Sequence, residues 1–326
     1  MSFLEVAKGR GEFQMYYELH GNHDAPEKVL IISGFITPCG EFINQLEYLK
    51  QFPELQICLF DNRGIGKSGI PKSNYSSTQL AKDAIELVNH LNWQKFHCVS
   101  ISMGAMVGMK LCNKIPDRIK SLFMSSTRAG DFSIPFKPFV CLCKVFTAKD
   151  IRSKFAATLP FLYTKEFLDS PSSVEGKTNG EFLIDSAMER SKRTSKTKDG
   201  NQISNSEDTS SDTSSEGVPQ QKRSFPNNNR MFGTVGHIRV IFSHYMSKKN
   251  LKDLGGHGFP ICLLGATDDK LLKSKYSKHL NKYLKPTEFK MFKSGHALHK
   301  EQMSEFNESI HRNIMRGIEN HDILEA

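Results

Sequence analysis

No apolar run in this chain approaches the ~18–20 residues that a membrane-spanning helix needs. With 38% hydrophobic residues and a mean hydropathy of −0.43, the composition is that of a water-soluble protein with some polar excess. The opening stretch, Met1-Ser2-Phe3-Leu4-Glu5-Val6-Ala7-Lys8, carries charge where a signal peptide has its apolar segment. The closing Asp322-Ile323-Leu324-Glu325-Ala326 spells no C-terminal address. A cytoplasmic location is therefore the expectation. Seven cysteines, an odd number, give no support for a disulfide framework. Cys141-Leu142-Cys143 lacks C-x-x-C spacing and no histidine cluster accompanies it, so no zinc site is read there. Cys58, Cys98 and Cys262 read instead as small buried hydrophobes in strands. The 44 lysines and arginines exceed the 35 acids by 9, yet they are scattered and lack the aromatic interleaving of single-strand binders. No nucleic-acid partner is expected. The Asp61–Gly69 loop does not satisfy G-x-x-x-x-G-K-[ST], so Gly66-Lys67-Ser68 reads as a structural turn and not a phosphate cradle.

What is present centres on Phe96-His97-Cys98-Val99-Ser100-Ile101-Ser102-Met103-Gly104-Ala105-Met106. A short apolar run with β-branched residues predicts a buried strand, and Met106–Leu111 predicts a helix. Between them Ser100-x-Ser102-x-Gly104 is close to the G-x-S-x-G nucleophile elbow. A strand that turns at once into a helix strains its central residue and projects its side chain. Small residues are needed two before and two after, because the two backbones pass close together. The alternative is a Ser and a Gly meeting at a helix start, where both are common caps.

The surrounding chain alternates strand and helix. Strands are expected at 13–19, 29–32, 56–60, 96–101 and 119–124. Helices are expected at 42–48, from a Ser77 or Thr78 cap to 91, and through 112. This rhythm predicts a mostly parallel sheet with helices on both faces. It breaks after Thr127 and resumes with a strand at 261–264, a helix at 271–284, a strand at 288–292 and a terminal helix at 302–318. The chain thus divides into a first core part at 1–130, a helical cap at 131–254 and a second core part at 255–326. Within the cap, residues 190–229 collapse into polar and charged types that cannot offset their ordering entropy, so a disordered insert is expected there. A tolerated loop expansion explains it more simply than a regulatory site.

A serine nucleophile needs a base, an acid to orient the base, and donors for the developing oxyanion. In an elbow fold these follow in the order Ser, acid, His. Leu264-Gly265-Ala266-Thr267-Asp268-Asp269 follows one late strand, and Phe292-Lys293-Ser294-Gly295-His296 follows the next. Ser102, Asp268 and His296 are therefore the expected triad. Asp269 reads as a helix cap, Asp131 as an outside alternative acid, and His299 as a rival base that starts the following helix. The expected oxyanion donors are the backbone N–H groups of Met103 and Phe35.

Ser33-Gly34-Phe35, Asp61-x-Arg63-Gly64-x-Gly66-x-Ser68, the Ser102 elbow, Gly265-x-x-Asp268 and Gly295-His296 together resemble the α/β-hydrolase fold superfamily, over roughly 10–130 and 232–315. The similarity is to small esterase- and lipase-like members with a helical cap. It implies an eight-stranded, mostly parallel sheet, a Ser-His-Asp triad, a pocket roofed by the cap, and no cofactor or metal. Ser100 stands where the family has Gly, and Ser33 where it usually has His. With Ser and not Asp at the elbow, the implied reaction is acyl transfer through an ester intermediate on a small-molecule ester. Phe132, Phe136, Phe139, Phe146, Phe155 and Phe161 in the cap point to an apolar acyl or alkyl group, or they simply pack the cap onto the core. An acyltransferase with the same triad, or a non-catalytic binding protein on the same fold, are the alternatives. Membrane attachment through 132–163 is a lesser one, and the oligomeric state stays open.

Overall fold

Strands buried on both faces have no polar side to show, and three such runs occupy the middle of the molecule. They are β4 (Leu55–Phe60), β5 (Phe96–Ile101) and β7 (Ile261–Ala266), buried at every residue. With β1 (Ser2–Val6), β2 (Phe13–Gly21), β3 (Glu27–Ile32), β6 (Ile119–Ser125) and β8 (Glu288–Phe292) they form one eight-stranded sheet in the order β1-β2-β4-β3-β5-β6-β7-β8. β1 pairs antiparallel with β2, and β2 with β4; every later pairing is parallel. The computed structural model of the chain describes residues 2–9, 11–72, 74–130, 140–141, 144, 147–199 and 227–325.

Because side chains alternate across a strand, each central strand feeds two cores. Leu30, Ile32, Cys98, Leu122, Met124, Ile261 and Leu263 face one way, toward α2 (Ser77–His90) and α3 (Met103–Cys112). Val29, Ile31, Val99, Ile101, Phe123, Cys262 and Leu264 face the other, toward α1 (Ile43–Leu49) and the long final helix. Parallel pairing places the carboxyl ends of β3, β5, β6, β7 and β8 along one edge, where α/β sheets open their sites.

Between β6 and β7 lie α4 (Ile151–Leu162), α5 (Lys165–Asp169), α6 (Asn179–Asp199), α7 (Asn227–Ser243) and α8 (Lys248–Gly255). After β7 come α9 (Ser274–Leu284), the single turn α10 (Leu298–Glu301) and α11 (Met303–Glu325). Among the described residues no helix is long and apolar enough to cross a membrane.

Several expectations need correction. β1 was not expected; it is a short edge strand whose first residues are largely exposed. The α2 cap is Ser76, whose side chain accepts from the Gln79 N–H, and not Ser77 or Thr78. Of the expected insert, 190–199 continue α6 and 227–229 open α7; its remainder, 200–226, lies outside the described residues. So do Asp131, Phe132, Phe136, Phe139, Phe146 and Cys143. Of the cap phenylalanines that are described, Phe155 is exposed and Phe161 half-buried.

Candidate active site

The turn from β5 to α3 carries Ser102 at φ 56° and ψ −117°. Side chains other than glycine rarely hold positive φ, and this strain is what projects the hydroxyl from the turn. The close passage of strand and helix is measurable at Gly104, where an added Cβ would stand 2.2 Å from the Ile32 carbonyl oxygen. At the other small position the chain has adopted a different arrangement. Ser100 Oγ donates to the Phe123 carbonyl at 2.9 Å. Its extra bulk is received by Gly108 on α3, whose hypothetical Cβ would meet that oxygen at 2.7 Å. The serine at 100 therefore fits because the helix residue opposite it has no side chain.

Ser102 Oγ lies 2.9 Å from His296 Nε2. His296 Nδ1 lies 2.7 Å from Asp269 Oδ2. A carboxylate can only accept, so Nδ1–H donates to Asp269 and Nε2 is left to accept from the serine hydroxyl. The Asp269 side chain is 1% exposed and that of His296 11%. The other Asp269 oxygen accepts the Leu271 and Leu272 N–H groups, both at 2.7 Å. Thus one carboxylate caps the turn before α9 and orients the imidazole at the same time.

The expectation that Asp268 is the acid is overturned. Asp268 is exposed and its carboxylate accepts from its neighbour Thr267 Oγ1. The reason lies in the strand ladder, which runs further than Gly265. Thr267 N–H donates to Phe292 O and Asp268 N–H to Ser294 O, and the backbone bends at 267–268 just past β7, so Asp268 faces outward and the next residue, Asp269, reaches His296. Asp269 was read as a cap, and it is one; the same side chain also reaches His296. His299, the rival base, is half-buried against the Phe42 and Phe306 rings, and desolvation pulls its pKa down to about 3.

The loop after β6 ties the serine and histidine segments together. Thr127 Oγ1 donates to the Ser102 carbonyl at 3.0 Å, and Ser126 Oγ to the His296 carbonyl at 3.1 Å. On the opposite side, the loop after β3 presses on the serine turn: a Cβ at Gly34 would lie 3.5 Å from Ser102 Cβ. This loop carries Phe35, and its first residue is held by Asn62 Nδ2, which donates to Ser33 O and Ser33 Oγ. The Met103 N–H belongs to the first turn of α3, where N–H groups have no intrahelical partner. The two expected oxyanion donors thus belong to segments that flank Ser102. The glycine-rich loop closes on a carboxylate of its own: Asp61 accepts the Cys39 N–H at 2.8 Å and the Lys67 N–H at 2.7 Å.

A family model described as alpha/beta hydrolase fold matches residues 28–302. The chain belongs to that family. Among solved structures it resembles a thermophilic esterase from Thermogutta terrifontis at TM-score 0.69 and 17% identity, covering 97% of this chain and 99% of the other. At that identity the likeness is one of fold. Among curated proteins it is 30% identical to a poly(3-hydroxyalkanoate) depolymerase of Ectopseudomonas oleovorans, over 27% of this chain and 31% of that one. It is 28% identical to a proline iminopeptidase of Lactobacillus crispatus (strain ST1), over 38% of this chain and 45% of that one. The alignments therefore span less than half the length of these relatives. Within the family's frame, two contacts that sequence reasoning missed couple the cap to the site. Glu301 accepts from the Gly295 N–H, the Thr164 N–H and Thr164 Oγ1, while Ala297 N–H donates to Leu162 O. His296 thus lies between Gly295, bonded to Glu301, and Ala297, bonded to Leu162, with Glu301 in turn holding Thr164.

Proposed function

We propose that this alpha/beta hydrolase is a serine hydrolase of carboxylic esters, with Ser102 as nucleophile, His296 as general base and Asp269 as the orienting acid. The observation that carries the reading is the unbroken chain from Ser102 Oγ through His296 to Asp269, at 2.9 Å and 2.7 Å. Ser102 Oγ attacks the carbonyl carbon as its proton passes to His296 Nε2. The resulting imidazolium stays paired with Asp269, and the carbonyl oxygen takes on negative charge between the N–H groups of Met103 and Phe35. Each such donor typically contributes ~10²–10³ in rate. Collapse expels the alcohol, which leaves with the proton from His296, and gives an acyl-Ser102 ester. A water, deprotonated by His296, then releases the acid and restores the serine.

The relatives' names span polyester and peptide chemistry, and an esterase shares the fold. A substrate panel therefore pairs short and long acyl esters with a carbamate and an N-terminal proline arylamide. Active-site labelling with a fluorophosphonate comes first, on wild type, Ser102→Ala and His296→Ala. Labelling of wild type alone, with turnover of esters above the other arms, is the expected result. Folded wild type that takes no label overturns the reading. Added acceptor alcohols that yield new esters in place of free acid would redefine the enzyme as an acyltransferase on the same triad.

A further inference from the structure

Helix interiors disfavour glycine relative to alanine, yet α7 carries Gly233-x-x-Gly236-His237 along one face. Both glycines are places of close approach. A Cβ at Gly233 would stand 2.0 Å from the Gly64 carbonyl oxygen, and one at Gly236 2.4 Å from the Tyr75 ring. The helix backbone therefore sits directly on the core, and the next side chain, His237, enters the gap with no exposure. There its two nitrogens do different work. The Ile36 N–H donates to Nδ1 at 3.1 Å, and Nε2 donates to the Arg63 carbonyl at 2.8 Å. An amide can only donate and a carbonyl can only accept, so the partners fix the ring as the neutral Nε2–H tautomer. Burial, which pulls its pKa down to about 4, keeps it in that form at neutral pH. The rings of Phe35 and Tyr75 flank it, with centroids 6.3 Å and 6.2 Å away.

Ile36 needs such an anchor. It is β-branched and holds φ +41°, a strained conformation that persists only when its surroundings impose it. It also directly follows Phe35, whose carbonyl accepts from Thr37 Oγ1. We propose that His237 is a positioning residue for the oxyanion hole: by accepting the Ile36 N–H from the cap helix, it fixes the Phe35–Ile36 peptide and, through the Phe35 Cα, restrains the adjoining peptide that carries the Phe35 N–H. This role rests on the serine-hydrolase reading above. It makes the seating of α7 part of the catalytic geometry and not only of the roof.

The test compares wild type, His237→Phe and His237→Gln. Phenylalanine keeps a ring between Phe35 and Tyr75 and loses both hydrogen bonds; the glutamine amide retains one acceptor and one donor. Turnover of p-nitrophenyl butyrate and the rate of fluorophosphonate labelling are measured on each. For H237F we expect kcat and labelling to fall by ~10–100-fold, less than outright loss of a donor, with KM moving less than about threefold. H237Q should recover most of the loss, and amide exchange in 33–37 should quicken only in H237F. An H237F protein with wild-type kcat overturns the role, as does an H237Q protein no better than H237F. Nitrogen-15 NMR of wild-type His237 needs no variant: a ring protonated at Nδ1 also overturns it. Folded wild type that neither hydrolyses nor labels overturns the serine-hydrolase reading itself. Normal wild-type turnover with an unaffected H237F overturns His237 alone.

Discussion

The sheet and the segment between β6 and β7 are built on different principles. In the sheet, β4, β5 and β7 are buried at every residue and two apolar cores lie against the faces. In the cap, α4 buries only Leu159. The separate apolar cluster there consists of Leu159, Tyr163 and Ala297 with a few half-buried neighbours. Its attachments to the core include polar ones: His237 to Ile36 and Arg63, His244 to Ser77 Oγ at 2.9 Å, Glu301 to Thr164. Ala297, directly after His296, belongs to the cap cluster and not to either core. Stability therefore resides mainly in the sheet, while the segments that carry His296 and Phe35 are tied to the cap by directional bonds. A catalytic defect without a stability defect should arise at that junction.

The largest expected effect separates the two adjacent acids. Asp269→Asn should lower kcat/KM by about 10⁴-fold, because the amide no longer enforces the His296 tautomer. Asp268→Asn, on an exposed side chain, should stay within about twofold. Ester kinetics on the pair decide the acid.

The second effect is on stability against pH. An unfolded imidazole takes up a proton near pH 6.5. Burial lowers His237 to about 4, and burial, with Lys110 and Arg128 nearby, lowers His244 to about 3. Between those values and 6.5 the unfolded chain binds more protons, so stability must fall as pH drops from 7. At pH 5 the loss should be about 2 kcal/mol for each histidine. His299, lowered by burial to about 3, acts in the same direction from the core. Urea unfolding at pH 7 and pH 5 measures the slope, and His244→Gln should flatten it.

A smaller effect probes the elbow. Gly108→Ala should cost about 1–3 kcal/mol by overpacking against Ser100, and Ser100→Gly added to it should recover most of that. Additive losses in the double variant would show that the two positions do not share one space. The smallest is Thr164→Val, which removes an α5 cap and one Glu301 bond. Loss of the cap alone should lower stability by about 1 kcal/mol, with ester turnover reporting any displacement of His296.

The contrast between sheet and cap also explains what could be read from the sequence. Parallel strands such as Ile261-Cys262-Leu263-Leu264 announce themselves because burial on both faces leaves an unbroken apolar run. Edge strand β1, with Ser2 and Glu5 among its few residues, leaves no such signature. The Ser102 elbow was legible because the turn's sterics constrain its own neighbours. The acid was misread by one residue, since the bend at 267–268 after β7 is held by bonds to Phe292, the last residue of β8, and to Ser294 beyond it. His237 could not be read at all: its partners are 201 and 174 residues away. Its only local signal is the pair of glycines on the same face of α7, which makes sense once a close neighbour is known.

The topology sets the order in which a growing chain can acquire this chemistry. Ser102 and His296 are separated by 194 residues, and β7 and β8 join the parallel sheet only beside a completed β6. During synthesis the strained serine turn can form early, yet its hydroxyl has no base until nearly the whole chain has emerged. On the serine-hydrolase reading proposed above, Ser102 becomes reactive only once the sheet is complete, and a nascent chain should leave esters untouched.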